Sequence, residues 1–201
     1  MMDKALRIPK ERVLQPLTKP LARVSPTTLT FIGLGVGLAA AVAAAFTQPY
    51  LALGLWIVNR IIDGLDGELA RATQTQSDLG GYLDLMVDLT IYAAIPVGLT
   101  IAQASFGNWL ALAVLLSVFY INAGSWMLLS ALLEKRKQGA TANAERTSIT
   151  MPTGIIEGTE TVIFYSLFLI FPNYLSILFW ALSVLVVLTI IQRLLWAQKN
   201  I

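Results

Sequence analysis

Hydrophobic positions along this chain do not alternate or cluster in short stripes. They run together in long apolar stretches broken by brief polar connections. Stretches of this length predict membrane spans, and six are drawn: Thr28–Phe46, Tyr50–Ala70, Gly80–Ala102, Trp109–Leu133, Gly154–Phe171 and Tyr174–Trp196. The connections Thr47–Tyr50, Gln103–Asn108 and Pro172–Asn173 are short, as antiparallel helix hairpins require. In the first span Gly33, Gly35 and Gly37 offer a smooth face for close helix contact. Upstream, residues 5–24 place Leu6, Val13, Leu14, Leu17, Leu21 and Val24 near helical spacing among basic residues, with Pro16 and Pro20 limiting helix length. This stretch reads as an amphipathic segment on the cytoplasmic membrane surface, or else as a disordered basic tail. The expected fold is an all-α integral membrane protein: residues 1–24 as the interfacial segment and residues 25–201 as one six-helix transmembrane domain.

Composition supports this. The 201 residues are 56% hydrophobic and 13% charged, with mean hydropathy +0.69. A soluble domain carries about 25% charged residues. The fourteen Lys and Arg segregate: six in the N-terminal arm, Arg60 and Arg71 at the inner ends of spans 2 and 3, Lys135, Arg136, Lys137 and Arg146 between spans 4 and 5, and Arg193 and Lys199 at the C-terminal end. The opposite connections have none, which predicts both termini on the cytoplasmic side; an odd span count would spoil the segregation. The arm lacks an apolar signal-peptide core. A net charge of +2 gives no reason to expect nucleic acid as a partner. Cysteine and histidine are both absent. Disulfides and thiolate metal sites are excluded, and any metal or acid–base chemistry falls to carboxylates.

Spans 2 and 3 carry those carboxylates. Span 2 turns polar as Asn59-Arg60-Ile61-Ile62-Asp63-Gly64-Leu65-Asp66-Gly67-Glu68-Leu69-Ala70-Arg71, and span 3 begins Gly80-Gly81-Tyr82-Leu83-Asp84-Leu85-Met86-Val87-Asp88. In a hairpin joined by Ala72–Leu79 the two polar halves share one depth, near the cytoplasmic face. Asp63 and Asp66 are three apart, Asp84 and Asp88 four apart, so each pair shares a helix face. Turned inward, the four carboxylates surround one small volume. Their mutual repulsion demands compensating protons or cations, and an all-oxygen set favours Mg²⁺ or Mn²⁺. Two ions shared with a diphosphate would suit displacement at phosphorus. The neighbouring Gly64, Gly67, Gly80 and Gly81 suggest close backbone approach by a nucleotide, and Arg71 stands at the helix end to meet a phosphate. The alternatives are structural hydrogen bonding by single aspartates and a proton or ion relay. Asp78 reads as solvated and Glu68 as interfacial.

The run Asp63-x-x-Asp66-Gly67-x-x-Ala70-Arg71, eight residues, then Gly80-x-x-x-Asp84-x-x-x-Asp88 resembles the signature of the CDP-alcohol phosphotransferases at every fixed position. The resemblance extends to the six-span layout and the interfacial segment. It implies transfer of a phosphatidyl or related substituted phosphate group from a CDP-linked lipid, such as CDP-diacylglycerol, to an alcohol, with release of CMP. It implies that Asp63, Asp66, Asp84 and Asp88 bind two divalent ions, usually Mg²⁺, and that Asp88 is also the base for the acceptor hydroxyl. It assigns Thr27, Thr30, Asn59, Gly67, Ala70, Arg71, Ser77 and Gly80 to the CDP-lipid. Pro26-Thr27-Thr28-Leu29-Thr30 resembles the family's Pro-Asn-x-x-Thr element, with Thr27 in place of Asn. It further implies a homodimer in the inner membrane, surrounded by membrane lipids, with a cytoplasmic active site.

The acceptor is less legible. Glu157 and Glu160 lie three apart in an apolar run, either lining an acceptor cavity or pairing with Arg60 or Arg146. Lys135, Arg136, Lys137 and Arg146 either attract a phosphorylated acceptor such as glycerol 3-phosphate or are ordinary cytoplasmic charge. Asn122 and Ser125 read as polar glue between helices. A second class of function, an ion-coupled transporter, would also use intramembrane carboxylates; it would be expected to repeat them in both halves, and here they occur once.

Overall fold

A computed structural model describes residues 16–21, 23–139 and 154–201. Among the described residues there is no strand, and five long helices and one shorter one dominate. Helix α1 (Pro26–Ala45) and helix α2 (Pro49–Ala72) both start on proline, whose missing N–H and fixed φ suit a first turn. Helix α3 (Asp78–Ala102) is capped by Ser77, whose Oγ accepts from the Gly80 amide at 3.1 Å. Helix α4 (Phe106–Lys135) is capped likewise by Ser105 through the Asn108 amide at 3.1 Å. Helix α5 (Gly158–Ile170) ends in the single 3₁₀ turn Pro172–Tyr174, which leads into α6 (Leu175–Asn200).

Helix α1 packs against α2 and α3, and α4 packs against α6, while α5 touches α2, α3 and α6 and ties the two groups together. Small residues set the first group's spacing. A Cβ on Gly98 of α3 would lie 2.3 Å from the Ala41 carbonyl oxygen of α1, and one on Gly37 would lie 2.5 Å from Ile91. Gly33 also meets a neighbour, but Gly35 faces open space, so two of the three glycines of α1 serve helix contact. Between the groups runs a ladder of rings: Trp56, Tyr92, Tyr165, Phe168 and Phe179, with centroids 4.9–6.2 Å apart. Trp56, Tyr165, Phe168 and Phe179 are fully buried. Large apolar side chains such as Phe31, Phe106, Ile177 and Leu194 point outward, as a lipid-facing surface requires.

By length and composition four stretches are able to cross a membrane: α1, α3, α4 and Pro172–Asn200. The expectation of six spans is therefore met only in part. Helix α2 has the length, 24 residues, but carries five charged side chains between Arg60 and Arg71. Helix α5 has 13 residues because the chain from Gly154 to Glu157 is not helical. At 1.5 Å per residue it spans only about 20 Å, against about 30 Å of hydrocarbon. Of the expected interfacial segment, residues 16–21 are helical, and Leu21 and Val24 pack against Leu29, Leu65 and Leu69. Residues 1–15 lie outside the described residues.

Candidate active site

The N-terminal ends of α1 and α3 and the C-terminal end of α2 enclose a cavity of about 600 Å³. Helix α1 contributes Pro26, Thr27 and Thr30; α2 contributes Asp66, Gly67, Ala70 and Arg71; α3 and its cap contribute Ser77, Gly80, Asp84 and Asp88. The structure thus brings ten of the expected site residues to one cavity wall, from helices that the i, i+3 and i, i+4 spacings orient inward. Asp66 is buried, with the Thr30 hydroxyl 2.8 Å from its Oδ2 and 3.1 Å from the Pro26 carbonyl. This hydroxyl ties the start of α1 to the acidic face of α2.

Asp63 and Asn59 do not line the cavity. Asp63 sits beside Arg60, at 3.8 Å from Nη1. Asn59 is 1% exposed and donates to the Gly33 carbonyl at 2.8 Å, so its amide joins α2 to α1 rather than facing a ligand. Arg71 pairs with Glu68 at 2.8 Å, which gives Glu68 a partner that its interfacial reading did not include. The Arg71 Nε is buried with no hydrogen-bond acceptor, an orphaned cationic donor at the cavity wall of the kind a phosphate oxygen satisfies. Gly67 leaves ordinary contact room for that guanidinium, 3.5 Å from where a Cβ would stand.

The cavity's ionic partners are carboxylates on α2 and α3, and their oxygens fit a hard divalent cation in donor chemistry. Among the described residues no three acidic side chains are gathered tightly enough to enclose an ion: Asp66 is turned to Thr30, and Asp63 and Asp88 to Arg60.

Glu157 and Glu160 occupy a different place. Each carboxylate accepts from the other residue's backbone N–H at the start of α5, in a reciprocal capping box. Glu160 accepts from the Glu157 amide at 3.2 Å, and Glu157 also accepts from the Gly154 amide at 3.0 Å. The spacing of three, read as a cavity or an ion pair, is also the capping-box spacing. Arg60, one expected partner, is engaged by Asp63 and Asp88 instead. Arg146 lies outside the described residues. Nearby, Arg193 is buried and donates to Asn122 at 2.8 Å, and Thr189 accepts from the Ile156 amide at 3.0 Å. Sequence reasoning missed the placement of Arg60 behind Asp88, and missed Arg23, Thr73, Thr75 and Gln76, which line the cavity. The signal for Arg60 was present: a guanidinium at membrane depth, one turn before Asp63 and one turn after Trp56.

A cavity lined by carboxylates at one end of an apolar helical bundle defines the class: a helical membrane protein with a polar site. The chain belongs to the CDP-alcohol phosphatidyltransferase family, whose model matches residues 23–192. It is 31% identical over 187 residues to the inner membrane protein YnjF of Escherichia coli, covering 83% of this chain and 84% of that one. It is 30% identical to the archaetidylinositol phosphate synthase of Pyrococcus horikoshii, over 96% of both chains. Its fold matches the phosphatidylinositol phosphate synthase of Mycobacterium tuberculosis solved with CDP-DAG bound, at TM-score 0.69 and 23% identity, over 91% of this chain and 92% of that one. The same mycobacterial protein has been solved with manganese and citrate.

Proposed function

We propose that this chain transfers a phosphatidyl-type group from a CDP-linked lipid such as CDP-diacylglycerol to an alcohol, releasing CMP. The observation that carries this reading is the shared wall of Asp66, Asp84 and Asp88 with Gly67, Arg71 and Ser77 around one cavity. Asp63, Asp66, Asp84 and Asp88 would hold Mg²⁺ or Mn²⁺, one ion or two. When bound, the metal supplies positive charge that offsets the diphosphate and the leaving CMP. Arg71, with its orphaned Nε, takes a phosphate oxygen of the CDP-lipid. The hydroxyls of Thr27 and Ser77, with Gly67, Ala70 and Gly80 beside them, border the nucleotide, and Thr30 fixes Asp66. Asp88 takes the proton of the acceptor hydroxyl. The acceptor oxygen then bonds to the lipid-side phosphorus as the bond from that phosphorus to the CMP oxygen breaks. Positioning and charge stabilisation supply most of the catalysis.

The acceptor is read as a phosphorylated polyol. Relatives named as inositol phosphate lipid synthases support that class, and glycerol 3-phosphate is its simplest member. Arg146, in the connection between α4 and α5, is the cation proposed to meet such a phosphate, with Glu157 and Glu160 capping the helix that follows. The segregation of basic residues supports cytoplasmic termini and a cytoplasmic cavity in an inner membrane, and the family resemblance supports a homodimer. The single acidic motif and the family match leave ion-coupled transport without support.

The test is CMP release by purified protein in detergent with CDP-diacylglycerol, Mg²⁺ and a panel of alcohols that includes glycerol 3-phosphate and inositol phosphate. Mass spectrometry of the lipid product identifies the acceptor. Silence across a wide panel sinks the proposal.

A further inference from the structure

A guanidinium inside a helical bundle is costly unless anions and hydrogen-bond acceptors surround it. Arg60 is 11% exposed and is held on every side. One face lies over Trp56, with Cζ 4.6 Å from the ring centroid, and Tyr92 stands 5.5 Å away. Nε and Nη2 both donate to Asn59 Oδ1, at 2.9 and 2.7 Å. Nη1 donates to the Tyr92 hydroxyl at 3.3 Å and lies 3.8 Å from Asp63. Nη2 also donates to Asp88 Oδ1 at 2.8 Å, across from α2 to α3.

The holders are themselves held. Asn59 is fixed by the Gly33 carbonyl of α1. The Trp56 indole N–H donates to Ser166 of α5 at 3.2 Å, and the Tyr165 hydroxyl donates to the Tyr92 carbonyl. Helices α1, α2, α3 and α5 therefore converge on one planar cation, and that cation ends on Asp88. The Asp88 side chain keeps 25% of its surface exposed and lines the cavity. A surface ion pair would leave Asp88 free to change rotamer; a stacked, forked guanidinium with a fixed base does not.

We propose that Arg60 is a positioning residue for the reaction: its aromatic and amide cradle fixes the Asp88 carboxylate at the orientation from which it takes the acceptor proton. This rests on the reading of Asp88 as base. Arg60 itself does not line the cavity, so it makes no direct contact with a CDP-lipid held there. Lysine cannot reproduce the fork that reaches Asn59 and Asp88 together, and glutamine keeps neither the charge nor the reach.

The wild-type protein and the variants Arg60→Lys, Arg60→Gln and Tyr92→Phe are compared for kcat, for KM toward CDP-diacylglycerol, for CDP binding by calorimetry and for melting temperature. Arg60→Gln is expected to lower kcat by about 100-fold, the cost of a reacting group displaced by about 1 Å. Arg60→Lys falls between it and wild type. KM and CDP affinity stay within about two-fold in both, since uniform binding is untouched. Turnover in Arg60→Gln within about three-fold of wild type, or a kcat loss matched by an equal loss of CDP affinity, overturns the proposal. If Arg60→Gln does not fold, Tyr92→Phe decides: it keeps the ring and deletes only the hydroxyl contact. A several-fold drop in kcat with unchanged CDP affinity supports the cradle, and unchanged kcat refutes it. A wild-type protein that binds CDP but releases no CMP with any acceptor refutes the enzyme reading and the positioning role with it. An active wild type with an indifferent Arg60 refutes the positioning role alone.

Discussion

The two halves of the bundle bury polar groups in opposite ways. In α1–α3, Asp66, Asp84, Asp88 and Arg71 stand around an open cavity, with Thr30 bracing Asp66 and Arg60 bracing Asp88 from behind. In α4–α6, Glu157 and Glu160 close on the first turn of α5, Thr189 holds the Ile156 amide, and Arg193 donates to Asn122. Both halves place charge among apolar helices. What separates them is the space beside them: Asp66, Asp88 and Arg71 have partners yet still border a cavity, while the polar groups of the other half close on neighbouring backbone and side chains. An intramembrane charge therefore marks a site when its neighbours leave it facing a cavity, and marks a cap or brace when they enclose it.

The contrast is broken first by Asp88→Asn. Turnover should fall by roughly 10²–10⁴ for loss of a general base while CDP binding persists; full activity removes Asp88 from its role. Asp84→Asn should lower CMP release by roughly 10²–10³, as loss of one charge-stabilising group does, and shift the activity to higher divalent-ion concentration in a titration. Next come packing changes that touch no charge. Gly98→Val forces a Cβ to within 2.3 Å of the Ala41 carbonyl oxygen, and overpacking of this kind costs about 1–3 kcal/mol, read as a lower melting temperature in detergent. In the other half, Glu160→Ala should cost about 0.5–2 kcal/mol through the lost cap. Glu160→Gln keeps a capping-box residue and should leave stability and acceptor KM near wild type; a raised acceptor KM with intact stability would move Glu160 into the site. Smallest is Gly35→Ala, which meets nothing within 4 Å and should stabilise by about 0.5–1 kcal/mol through helix propensity.

What the sequence made legible follows from how far helical geometry reaches. Spacing within one helix places Asp84 with Asp88 and predicts the same for Asp63 and Asp66, of which only Asp66 lines the cavity. The expected α2–α3 hairpin is replaced by α1, which packs against both helices and brings their polar ends to one cavity. Spacing does not say which side chain answers another across helices. Asn59 was expected at the nucleotide and instead joins α1 to Arg60. Arg60 counted as cytoplasmic charge and instead anchors Asp88. Glu157 and Glu160 were expected to seek a ligand or an arginine, because an apolar run hid the helix start between them. The same blindness lengthened the fifth span: Gly154 to Glu157 is as apolar in sequence as a helix, but its amides are answered by Glu157, Glu160 and Thr189 side chains.

The shortness of α5 bears on how the protein is made. A stretch of 13 helical residues gains too little from lipid to enter a bilayer by itself. Its entry during synthesis depends on the long apolar α6 that follows and on a docking place prepared by Trp56 and Tyr92. The last hairpin is accordingly expected to insert as a pair, after α1–α3 have entered the membrane. A chain released before α6 has emerged from the ribosome would leave the ring ladder unfinished and α5 stranded at the interface.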